Sequence, residues 1–478
     1  MLFNTIDFAI FVPIVFILYW FVFNQNLRIQ NLLIVIASYV FYGWWDWRFL
    51  LLMVFSISVD YVAGLVLSKQ QNPQIRKAAL GVSLAVNFGL LGFFKYYNFF
   101  LDNFAAVFSF LGHPIMTKSL NIILPVGISF YTFQALSYTI DIYNRKVEAT
   151  KDYISFSAFV SFFPQLVAGP IERASHLLPQ FYRKRVFDYS KSVDGLRQVL
   201  YGLFKKVVIA DNCAYYANMI FNNSADYSGS TLIIGALFFA FQIYGDFSGY
   251  SDIAIGVARL FGFDIMRNFA FPYFSRDIAE FWRRWHISLT TWFRDYLYIP
   301  IGGSRGPFWT KVRNIFIVFI VSGFWHGANW TFIAWGALNA IYFIPLFLLN
   351  KNRDHLDIVA LGKLFPSFKD VLSICFTFSI TVIAWIFFRA ENITHALNYI
   401  TRIFSHSLFQ TPEIFPKRII LFIGLFCIIE WFGREQQYGI ANIRFVRSRI
   451  IRWSVYYSIV FAILYLGGSE QQFIYFQF

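Results

Sequence analysis

Apolar runs of bilayer length recur along the whole of this 478-residue chain and constrain its fold more than any other feature. They lie at 6–23, 31–45, 48–67, 78–101, 119–142, 153–171, 230–262, 313–326, 330–350, 371–389, 418–432 and 450–467. A straight crossing of the hydrocarbon core takes roughly 20 apolar residues as α-helix, because backbone polar groups there must be satisfied inside the segment. Several runs fall short of this, so broken or re-entrant helices are expected among them. Composition agrees: 58% of residues are hydrophobic and 14% charged, against about a quarter charged in a soluble domain. The expected fold class is an all-α polytopic membrane protein with roughly 10 to 12 spans. One membrane domain over 1–478 is expected, since no repeat, linker or soluble module interrupts the pattern. A polar, aromatic-rich stretch at 264–312 reads as an interfacial segment within it.

The net charge of +14 would suggest a nucleic-acid partner in a soluble protein. Here the basic residues cluster in short loops, such as Lys69 to Lys77, Arg183 to Lys191 and Arg444 to Arg452. Such loops suit an anionic membrane surface, so lipid is expected as a partner and nucleic acid is not. The first basic residue is Arg28, after the first apolar run. That order is the reverse of a signal peptide and places the N-terminus outside the cytoplasm. Cys213, Cys375 and Cys427 are too scattered for a metal knuckle or a disulfide framework; each reads as a small buried hydrophobe.

Polar residues where water is scarce carry the functional information. Four segments qualify. In Phe162 to Arg173, two prolines and a glycine break an apolar helix, and a helix terminus followed by a surface turn is the plainest reading. In Gln242 to Asp252, Asp246 and Asp252 sit in an apolar stretch where carboxylates need partners. Arg259, seven residues on, is one candidate for Asp252, and Gly245 and Gly249 allow a second helix close by. A structural polar network and the wall of a ligand cavity are equally compatible with these acids.

The third segment, 273–300, places Ile278, Phe281, Trp282, Trp285, Leu289, Trp292, Phe293 and Tyr296 at helical spacing. Arg283, His286, Thr290 and Arg294 share another face, and Glu280 can pair with Arg284. An amphipathic helix on the membrane surface explains the stripe; His286 and the arginines also suit an anionic donor such as a phosphopantetheine or coenzyme A phosphate. The fourth segment is Val321 to Trp330, where Gly323 and Gly327 flank Trp325-His326 and leave room for a substrate or another backbone. Burial disfavours an imidazolium, and a neutral imidazole is what a general base requires. His113, His176, His355, His395 and His406 lie in loops or near span ends. His286 and His326 could make a pairwise metal site, but no further ligand set stands out, and no metal is expected.

These residues also carry a resemblance. Phe281-Trp282-Arg283-Arg284-Trp285-His286-Ile287-Ser288-Leu289, Trp292 to Pro300, Gly302-Gly303 and Trp325-His326-Gly327 resemble, in order and spacing, the membrane-bound O-acyltransferase superfamily. Supporting pieces are Pro164-Gln165 through Gly169 to Arg173, Gly245 to Asp252, and Phe473-Ile474-Tyr475-Phe476. The similarity is to the bacterial branch of alginate and peptidoglycan O-acetyltransferases and the teichoic acid D-alanyl transfer protein. It implies a ring of tilted helices around a thin centre pierced by a tunnel. It maps the catalytic histidine onto His326 and a second onto His286.

On this reading an acyl group, expected to be acetyl, passes from a cytoplasmic thioester to a hydroxyl outside a bacterial inner membrane. His326 serves as base and His286 binds the donor near the cytoplasmic mouth. Trp325, Arg283, Arg294, Asp246, Asp252 and Asn329 are the expected substrate-binding residues. The donor, acetyl-CoA or an acyl carrier, is a substrate, and no tightly bound cofactor is expected. The acceptor is a polysaccharide, met directly or through a periplasmic or extracellular acyltransferase partner. The alternatives are D-alanyl transfer to teichoic acid, and a transporter or flippase without acyl chemistry.

Overall fold

The computed structural model describes residues 1–115, 117–167 and 169–476, apart from the side chains of 444, 445 and 476. Among these the chain is all-helical, with no strand. Among the described residues, eight helices are long and apolar enough to cross a membrane, which makes the protein a multi-pass membrane protein. The runs at 119–142, 153–171 and 418–432 hold shorter helices of 16, 9 and 17 residues. A helix rises 1.5 Å per residue, so these fall short of a straight crossing.

The chain divides into two compact units. The first comprises Met1–Ser192 and Val257–Met266. Its helices include α1 (Ile6–Ile17), α2 (Leu27–Asp46), α3 (Arg48–Lys69), α4 (Pro73–Leu91) and α5 (Ile128–Tyr143). Asn26 and Asn72 cap α2 and α4 by accepting first-turn N–H groups, which satisfies donors that lipid cannot. Inside this unit the buried Asp60 accepts from Ser83 Oγ at 2.5 Å and from Asn87 Nδ2 at 2.9 Å. Such a network locks helices where unpaired polar groups are expensive. The Phe162–Arg173 segment is not the surface turn expected of it. Phe162, Phe163, Leu166, Ile171 and Glu172 are all buried, and the Glu172 carboxylate accepts from His176 Nδ1 at 2.8 Å and from the Met266 N–H. Ala168 lies outside the described residues.

The second unit comprises Val193–Gly256 and Arg267–Phe478. Its helices are most of α6 (Gly229–Leu260), the short α7 (Ile278–Arg284) and α8 (Ile287–Phe293), α9 (Phe308–His326), α10 (Trp330–Leu348), α11 (Phe368–Arg389), α12 (Lys417–Gly433) and α13 (Arg449–Leu466). The most apolar window of α6 is 83% buried and that of α13 is 6% buried. The first is packed inside the protein, and the second leaves its apolar surface exposed, as a lipid-facing helix requires. The Gly245/Gly249 pattern allows the close approach its spacing predicts. A Cβ on Gly249 would stand 2.8 Å from the Gly202 carbonyl oxygen, and one on Gly245 3.1 Å from that of Lys205. Cys213 is buried as expected, whereas Cys375 is exposed on α11.

Candidate active site

The aromatic segment does not form one amphipathic helix. It breaks at His286, whose backbone adopts the left-handed conformation (φ 44°) between α7 and α8. The cause is Asn268: its backbone carbonyl accepts the Ile287 N–H at 2.9 Å, and its Oδ1 accepts from Ser288 Oγ at 2.6 Å. These bonds start α8 afresh and offset a conformation that costs a non-glycine residue on the order of 1 kcal/mol or more. Nothing in the local sequence around Asn268 signals this role. The expected Glu280 to Arg284 pair forms at 2.8 Å, and Arg276 joins the same carboxylate at 3.1 Å.

The break turns the His286 ring inward. It lies 6.3 Å from the ring of His326, centroid to centroid, and both residues are buried. His326 ends α9. Its ring is walled by Trp325 at 5.0 Å, Trp335 at 5.3 Å, Phe388 at 5.4 Å and Tyr475 at 5.7 Å. Burial pushes the His286 imidazole down to about 3, so that ring is neutral at physiological pH. The flanking glycines serve packing. A Cβ on Gly323 would meet the Phe332 carbonyl oxygen, and one on Gly327 would meet the Phe332 ring. The room they leave belongs to α10.

Both histidines line one cavity of about 570 Å³, a volume in the usual range for small-molecule sites. Its walls include Trp282, Trp285, Leu289, Phe293, Phe319 and Phe343. Arg283, Thr290 and Arg294 line it as well, so the break preserves the grouping that the helical spacing suggested. Arg353, Asn352 and Ser304 are also in the lining. Arg283 donates to the carbonyls of Asn352 and His355 at 2.8 and 2.7 Å and so fixes the loop that presents Arg353. Arg294 pairs with Asp295 at 2.7 Å and stays largely exposed. Arg353 has no local sequence signal, since it sits in an ordinary basic loop.

Other expected site residues fall elsewhere. Trp325 packs against both histidines without lining the cavity. Asn329 caps α10, accepting from the Thr331 N–H at 3.0 Å, and donates to the Glu391 carbonyl at 2.8 Å. Asp246 and Asp252 are not in the lining. Asp252 pairs with Lys205 at 2.5 Å and accepts from Gln198 at 2.7 Å, in place of the expected Arg259. Arg259 instead lines a groove with Trp20, Phe187 and Lys191. Asp246 pairs with Lys206 at 2.8 Å. Neither lysine pairing was legible locally, because the partners are far apart in the chain. Tyr475, also unforeseen as a site residue, packs against both histidine rings. Among the described residues no three His, Cys, Asp or Glu side chains gather to hold a metal.

A polytopic helical protein with a buried histidine pair at an apolar cavity bordered by arginines has the makings of a membrane enzyme. The chain belongs to the membrane-bound O-acyltransferase family, whose sequence profile matches residues 145–388, and it is an acyltransferase. It is 39% identical over 438 residues to a probable alginate O-acetylase of Pseudomonas aeruginosa, covering 90% of this chain and 81% of that protein. It is 37% identical over 426 residues to a peptidoglycan O-acetyltransferase of Helicobacter pylori, covering 83% and 78%. A teichoic acid D-alanyltransferase of Bacillus subtilis is 27% identical, with 60% and 75% covered.

Proposed function

We propose that this protein is an O-acetyltransferase that passes an acetyl group from a thioester donor to a hydroxyl of an exported or cell-surface polysaccharide, directly or through a partner transferase. The observation that carries this reading is the cavity itself. Two histidines and three arginines line one apolar space, which matches an acyl thioester with an anionic head and a slender arm. The donor is acetyl-CoA or an acetylated carrier. Arg283, Arg294 and Arg353 hold its phosphate, since a guanidinium pairs well with phosphate oxygens.

His326 takes the proton from the acceptor hydroxyl as the oxygen attacks the thioester carbonyl. The neutral His286 orients the acyl carbonyl with a ring N–H as charge builds on its oxygen. The C–S bond then breaks, the ester is complete, and the proton on His326 passes to the departing thiolate. The names of the O-acetylating relatives support acetyl over D-alanyl as the group moved. The loop before α9, the first turns of α9 and the loop between α10 and α11 carry Arg305, Lys311, Arg313, Lys351, Arg353 and Lys363. By the positive-inside rule that end faces the cytoplasm, in a bacterial inner membrane with the N-terminus outside.

Acyl transfer measured in membranes carrying His326→Ala at equal protein level tests the base. Unchanged activity would sink it. Movement of labelled donor across liposomes without thioester cleavage would favour a transporter instead.

A further inference from the structure

The 467–475 segment is held in the second unit by a buried ion cluster that the proposed chemistry does not use. Lys206 pairs with Asp246 and with Asp211, each at 2.8 Å, and all three side chains are buried. One cation between two acids leaves a carboxylate in need of another donor. Asp246 finds it in the segment: its second oxygen accepts the Ile474 N–H at 2.7 Å. Lys206 Nζ in turn donates to the Gln471 carbonyl at 3.0 Å. Upstream, the Gly468 N–H donates to the Val207 carbonyl at 3.0 Å, and Asn212 Nδ2 donates to that of Leu466 at 3.0 Å.

The residue next to this anchor is Tyr475, whose ring lies 5.7 Å from His326, 6.3 Å from His286 and 4.6 Å from Phe247. An ion cluster that served only to join helices would not need bonds to this segment's backbone. We infer that the Lys206–Asp246 pair is a latch for the 467–475 segment, which sets Tyr475 as a wall of the histidine site and makes Asp246 a positioning residue for the reaction. The consequence for turnover rests on the proposed role of His326; the latch itself does not.

The test is hydrogen exchange of the 467–475 peptide in the purified full chain, measured together with steady-state acyl transfer. Asp246→Ala removes the acceptor of the Ile474 N–H and the ion pair that holds Lys206 beside Gln471. Ile474→Pro removes the donated N–H and leaves the ion cluster intact, so it decides the matter if Asp246→Ala fails to fold. Asp211→Asn perturbs the cluster without touching the segment. A hydrogen bond to a charged group is worth enough that exchange in the first two should rise at least about tenfold. In those two, kcat should fall about tenfold while KM for the donor stays within about twofold, since the donor cavity is untouched. Asp211→Asn should keep exchange and kcat near those of the parent. Parent-like exchange in both latch variants overturns the latch. Increased exchange with unchanged kcat overturns the positioning role. Equal losses of kcat in Asp211→Asn and Asp246→Ala, with exchange unchanged, reduce the cluster to a structural brace.

Discussion

His286 and His326, separated by 40 positions in the sequence, bring their imidazoles to 6.3 Å inside one cavity. The pairing depends on the left-handed backbone at His286 and on the termination of α9 at His326. Removing either ring should lower acyl transfer by about 10²–10⁴-fold, the usual worth of a positioned acid–base group. The double variant His286→Ala/His326→Ala should lose little more than the worse single one, because groups acting on one event are not additive. Thioester turnover with equal amounts of each variant checks this, and fully additive losses would mean the two rings act independently.

The low value of His286 has a consequence for the pH profile. A group pushed down to about 3 by burial stays neutral through the working range. His286→Gln should therefore change the height of the rate profile between pH 5 and pH 9, an interval well above that value, and not its shape. A limb of the profile that disappears in this variant would show that His286 titrates in place.

Arg353→Ala should raise KM for the donor by roughly tenfold or more, the worth of a charge-assisted contact to phosphate, while kcat at saturating donor changes little. Raising salt should weaken donor binding by the parent, and less so by the variant, because one screened contact is already gone. Equal salt dependence in the two proteins would place Arg353 outside the donor contact.

In Gly323→Ala the new methyl would be forced against the Phe332 carbonyl oxygen, so α9 and α10 must separate. Overpacking of this kind costs about 1–3 kcal/mol. The shift also moves His326, one turn along the same helix, so activity should fall with stability. The unfolding midpoint in detergent and the specific activity of the folded fraction report the two effects separately. An unchanged midpoint would mean that the helices part without cost.

Glu172 and His176 form a pH-sensitive clasp in the first unit. Burial raises the Glu172 carboxyl above its usual range, partly countered by His176. The hydrogen bond from Glu172 raises the half-exposed His176 above its ordinary 6.5. Asp264 also acts on both. A histidine raised in the folded state contributes stability that is complete below pH 6.5 and is lost as pH rises through its higher folded value. The raised carboxyl works in the same direction, from about pH 4.5 upward. Hydrogen exchange at Met266, whose N–H the clasp holds, should quicken between pH 6 and 8 beyond its intrinsic base-catalysed increase. His176→Gln should remove that excess, and a persistent excess would point to another group.

Much of this protein was legible from its residues alone. Apolar runs near 20 residues specify membrane helices because lipid offers the backbone no partners. Glu280 with Arg284, and Gly245 with Gly249, were readable because helix geometry places residues four apart together. His326 and His286 stood out for similarly local reasons: a buried imidazole among glycines, and one amid aromatics and arginines. Tertiary structure alone decided what each side chain meets. It gave Asp252 to Lys205, Asp246 to Lys206 and Ile474, Asn268 to the break at His286, and Arg353 and Tyr475 to the site. Those partners lie on separate segments, and the periodicity of one helix carries no information about which other segment packs against it.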